Sequence, residues 1–93
     1  MAITKFLVTS VESGKTATVD FGSTILNASV AVQGYSVSFG TNVDHHVKAI
    51  KVNTSISSIT GSSVTVGATC TMEDNSSHKA NGTVNVLVVA VCD

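Results

Sequence analysis

Proline and tryptophan are absent from this chain, and charged and aromatic residues are scarce, at 12% and 4% of 93 residues. The lack of a charge excess excludes the most. Five basic residues against six acidic ones, a net of −1, leave no cationic footprint for a nucleic-acid backbone or an anionic membrane surface. Long hydrophobic runs are missing too: the most apolar stretch, residues 84–91, is far shorter than the roughly 20 residues a spanning helix needs. The start Met1-Ala2-Ile3-Thr4-Lys5-Phe6 has neither the basic n-region nor the apolar h-region of a signal peptide. The sequence therefore predicts a soluble chain with no nucleic-acid partner and no membrane insertion.

Catalytic signatures are also wanting. There is no Gly-x-Ser-x-Gly elbow, no phosphate-cradling glycine loop, no carboxylate pair set in apolar sequence and no cysteine beside a histidine. The expectation is a protein that is not an enzyme and uses no cofactor.

What remains is a mixture of seven glycines with abundant Ser, Thr and Val, 43% hydrophobic overall. It is too apolar for disorder and too rich in β-branched residues for a helical bundle. Period-2 alternation points the same way. Ala17, Val19 and Phe21 share one face of an extended segment. Leu26, Ala28, Val30 and Val32 alternate with Asn27, Ser29, Ala31 and Gln33, and the series resumes after Gly34 with Tyr35, Val37 and Phe39. Lys48, Ile50, Val52, Thr54 and Ile56 form another such face, and Val64, Val66, Ala68, Cys70 and Met72 the next. Thr60-Gly61-Ser62 and Glu12-Ser13-Gly14-Lys15 read as hairpin turns, and residues 73–82 as a longer polar connection. The prediction is all-β: a single domain over residues 1–93, an antiparallel β-sandwich or small jelly roll of six to seven strands.

The last strand breaks the alternation. Val84, Val86, Val88, Ala90 and Cys92 make one apolar face, yet Leu87, Val89 and Val91 make the opposite face apolar as well. Such a strand is either central and covered by the domain's own loops, or turned outward toward another subunit. The second reading makes Leu87, Val89 and Val91 the predicted oligomer interface. A small, aromatic-poor core gains from the additional buried area.

Cys70 and Cys92 both fall on the apolar side of their strands. They read either as two buried free thiols or as a disulfide bridging two strands. Asp44-His45-His46, with His78 further on, is the one cluster with chemical potential. Adjacent histidines on an extended segment point to opposite faces, so the favoured reading is solvated loop residues and no metal site. Glu73-Asp74-Asn75 lacks the ligand spacing and glycine of a calcium loop. Four Asn-x-Ser/Thr sequons begin at Asn27, Asn53, Asn75 and Asn81; one or two arise by chance in so Ser- and Thr-rich a chain, Asn27 and Asn53 sit at outward-facing strand positions that call for a polar residue, and glycosylation is not expected.

The Met-initiated, low-charge, Ser/Thr/Val-rich chain with its doubly apolar strand Thr83-Val84-Asn85-Val86-Leu87-Val88-Val89-Ala90-Val91 resembles small accessory virion proteins of tailed phages, such as capsid decoration and tail-associated β-sandwich modules. That resemblance implies a homo-oligomer, trimeric, seated on a larger protein assembly, in the virion or otherwise extracellular. Val37-Ser38-Phe39, the segment 47–56 and the strand 84–91 are similar in order to H-type lectins, six-stranded sandwiches that trimerise and bind N-acetylgalactosamine. This second resemblance implies a glycan partner, with Tyr35 as its platform and Asp44, His45 and His46 in the polar loop as the ligand-binding groups.

Overall fold

The computed structural model describes residues 2–39 and 46–93. Seven strands follow one another: β1 (Ile3–Glu12), β2 (Thr16–Asp20), β3 (Ile25–Ser36), β4 (Val47–Thr60), β5 (Ser63–Asp74), β6 (Lys79–Asn81) and β7 (Thr83–Cys92). They form two antiparallel sheets. Sheet A has the order β1-β7-β3; sheet B has the order β2-β5-β4, with β6 pairing the other half of β5. The all-β expectation holds, as two sheets facing each other across one core.

The core lies between the two central strands, whose residues alternate between buried and more exposed. Val64, Val66, Ala68, Cys70 and Met72 point inward from β5, and Val84, Val86, Val88, Ala90 and Cys92 point inward from β7. Val11 and Phe21 complete the buried set. Apart from Phe21 and Met72 these side chains are small.

β-Bulges account for the places where alternation slips. In β3, register shifts between Ile25 and Asn27 and between Val32 and Gly34 leave Leu26 and Gln33 as extra residues. The first turns Leu26 out of the expected inward series and admits Ile25. The second restores Tyr35 to the phase of Ala28, Val30 and Val32. In β4, shifts at Lys48 and Ser57 do the same: Lys48 leaves the face of Ile50, Val52, Thr54 and Ile56, and Ile59 returns to it, opposite Val64.

Two expected connections differ. The turn at residues 12–15 is tight, with Lys15 N donating to Glu12 O at 2.9 Å, but it does not close a hairpin: it carries the chain from sheet A to sheet B. The polar connection after β5 contains β6, whose Lys79, Ala80 and Asn81 pair with Glu73, Met72 and Thr71. The turn at Gly61-Ser62 is the hairpin expected. Thr60 pairs with Ser63, and Gly61 takes φ 59° at the first central position, where a II′ turn calls for glycine.

Gly82 marks the crossing from β6 in sheet B to β7 in sheet A. Its N–H donates to Cys70 O at 2.8 Å, and its carbonyl accepts from Ser13 N at 2.9 Å. A Cβ there would collide with Ser36 O and sit 2.7 Å from Val37 Cβ and 2.8 Å from Cys70 Sγ. No residue with a side chain fits that crossing.

Candidate interaction surfaces and functional residues

The two outer faces of the sandwich differ in chemistry. Strand alternation gives sheet B an outer face of Thr16, Thr18, Ser55, Asn53, Lys51, Thr65, Thr69, Thr71 and Glu73, hydroxyl-rich and hydrated. Thr18 Oγ1 and Thr65 Oγ1 meet across it at 2.8 Å.

Sheet A carries an apolar patch on one half of its outer face, the other half holding Ser10, Asn85, Glu12, Thr83 and Ser36. Its outer face is crossed by rows that the register fixes: Thr4, Val91 and Asn27; Phe6, Val89 and Ser29; Val8, Leu87 and Ala31. Leu87, Val89 and Val91 run down its centre, half-buried. Phe6 is 70% exposed and Val8 48%. The three residues expected at an interface are thus brought together on one face. β1 adds Phe6 and Val8, which sequence analysis did not single out. The signal was present, since Phe6-Leu7-Val8 is apolar on both parities just as the last strand is.

Among the described residues, the remaining candidates do not form a common site. Asp44 and His45 lie outside the described residues. His46 is exposed, and its carbonyl accepts from Asn75 N at 3.0 Å. Tyr35 is exposed on β3, an edge strand of sheet A. Cys70 and Cys92 are both fully buried and free. The disulfide reading fails on geometry: Cys70 packs by Gly82, and Cys92 lies ten residues further along an extended chain, about 30 Å away.

Asp74 is buried and organises the turn after β5. Its Oδ1 accepts from Ser76 N at 2.9 Å and His78 N at 2.8 Å, while its Oδ2 lies 2.9 Å from His78 Nδ1. The turn closes with Asp74 N donating to His78 O at 3.0 Å. Glu73, its neighbour on the strand, points to the opposite face, so the two carboxylates are not placed to share a cation. Among the described residues no group of three or more His, Cys, Asp and Glu is arranged to hold a metal ion. Asp20 has a capping role at the other end: Gly22 N donates to its Oδ1 at 2.7 Å. That bond, and a second from Ser62, hold its carboxyl below the usual carboxylate range.

Comparison with protein-family models, with curated proteins and with solved structures finds no match to this chain. No helix among the described residues is long and apolar enough to cross a membrane.

Proposed function

We propose that this protein is a non-enzymatic structural module that assembles with copies of itself through the outer face of sheet A. In this reading it serves as an accessory component of a phage particle, a capsid decoration or tail protein. The observation that carries the assembly is the central stripe Leu87, Val89 and Val91 with Phe6 and Val8 beside it. A contiguous apolar patch on the sheet face of a small protein is favourable to bury and costly to leave wet.

The particle setting rests on the likeness of composition and last strand to tailed-phage accessory proteins, which also suggests three copies.

Analytical ultracentrifugation of wild type beside Leu87→Lys and Val89→Lys tests the reading. The wild type sediments as an oligomer, and each lysine variant sediments as a folded monomer with unchanged β-sheet circular dichroism. A monomeric wild type overturns the assembly, and a variant that keeps the wild-type assembly moves the interface elsewhere.

A further inference from the structure

The outer face of sheet A is not level, and its slope specifies how a second copy sits on it. This inference rests on the self-association reading above. In the row through Val89, β1 contributes Phe6 and β3 contributes Ser29; in the row through Leu87, β1 contributes Val8 and β3 contributes Ala31. In these two rows the face is high along β1 and low along β3; Asn27 in the row of Thr4, and the bulge residues Leu26 and Gln33, are the larger side chains of β3 outside them. Two such wedges fill space only when the high side of one lies over the low side of the other, because interdigitation of large with small is what gives an interface the density of a protein interior.

Charge and area both point to a second copy as the occupant. Among the described residues, Glu12, at one end, is the only charged residue whose register position places it on this face. Away from Glu12 the face carries no charge, so the rows through Leu87, Val89 and Val91 meet their own copy with no like-charge repulsion and offer a charged partner nothing. Strands of ten residues at about 3.3 Å per residue, three abreast about 4.8 Å apart, give a footprint of roughly 33 by 14 Å. Counted on both partners that is about 900 Å² in projection for the whole face, close to the roughly 1,000 Å² of a specific interface, with the apolar rows at one end and the rows of Ser10 with Asn85 and Glu12 with Thr83 at the other.

We infer that β1 of one copy packs over β3 of the next, placing Phe6 against Ser29 and Val8 against Ala31 of the second copy, with the β7 stripes meeting between them. Both a two-fold with its axis along the strands and a three-fold arrangement of inward-facing sheets satisfy this pairing. A two-fold across the strands does not, because it lays β1 over β1 and β3 over β3.

Cysteine crosslinking reads the pairing directly, since the native thiols are fully buried. Chains carrying Phe6→Cys are mixed with chains carrying Ser29→Cys, equilibrated and oxidised, and the pair Val8→Cys with Ala31→Cys is treated likewise. The expected result is a covalent dimer in at least one mixture, with little in the corresponding single-variant samples. A dimer from Phe6→Cys alone, or no dimer from either mixture while the samples sediment as oligomers, overturns the pairing and leaves self-association standing. A monomeric wild type defeats both. Ala31→Phe provides a second readout, for it fills the low side at an exposed position: it should weaken assembly at least tenfold with the fold retained, and unchanged assembly counts against the pairing.

Discussion

Gly82 shows how much one position can carry in a protein of this size. The chain changes sheets there against a neighbouring carbonyl and a cysteine sulfur, and backbone cannot yield as a flexible side chain does. Gly82→Ala should cost about 1–3 kcal/mol or more, the range of an overpacked core, read as a lowered midpoint in urea unfolding. Phe21, the one large aromatic in the buried set, carries a complementary load: Phe21→Ala opens a cavity under the turn into β3 and should cost about 3–5 kcal/mol in the same assay.

Asp20 acts through charge instead. Its pKa is depressed in the folded state by the Gly22 and Ser62 hydrogen bonds, so its contribution is fully present above the unfolded pKa of about 3.9 and is lost as pH falls through the lower folded value. The stability gap between wild type and Asp20→Ala should be largest near neutrality and shrink below about pH 4. Thermal melts across that range check the sign, and a gap that grew in acid would contradict it.

At the scale of strands, each long edge carries a feature that discourages pairing with another chain. β3 and β4 carry two register shifts each, which bend the ladder away from a straight template. β1 pairs with β7 without a shift from Ile3 to Glu12, and it is protected differently. Lys5 occupies an inward position opposite Ala90 and donates from Nζ to Phe21 O at 3.1 Å. An inward lysine on an edge strand must be desolvated if another strand adds there. Lys5→Val should therefore leave the domain folded and speed its aggregation, visible in light scattering over hours. Guarded edges leave the sheet face as the surface open to association.

Strands also show where sequence reading succeeds. β5 and β7 alternate without a slip because each is central, with one side of every residue pair committed to the core. β3 and β4 were recognisable but shifted in phase, since a bulge inserts a residue without any mark of composition. β1 escaped notice because Phe6-Leu7-Val8 serves both of its faces at once. β6 is three residues long and takes its strand geometry from β5, not from its own polar sequence. The outward apolar stripe of Leu87, Val89 and Val91 is legible as a departure from alternation, whereas its neighbours Phe6 and Val8 depend on which strands pair, and no local pattern encodes that.

The whole molecule is a rod of 55 × 17 × 17 Å with a radius of gyration of 15.9 Å, against about 12 Å for a compact domain of this length. Its core is a single narrow seam between β5 and β7. Small-angle scattering of the Leu87→Lys variant, dispersed to monomers, should return a radius near that of the rod; a value close to the compact figure would contradict the architecture.

The position of β7 in the chain has a consequence for how the protein is made. Sheet A consists of β1 and β3 held apart by a strand that is synthesised after both, and Ile3 and Ile25 both pair with Cys92. Until β7 emerges, sheet A has no hydrogen-bonded pair, while β4 and β5 can already close their local hairpin. Sheet B is thus the half able to form on the ribosome, and sheet A waits for the contacts of longest sequence separation, which are the slow ones. A ribosome stalled short of β7 would hold a chain half folded, its apolar strands still open to the chaperones around it.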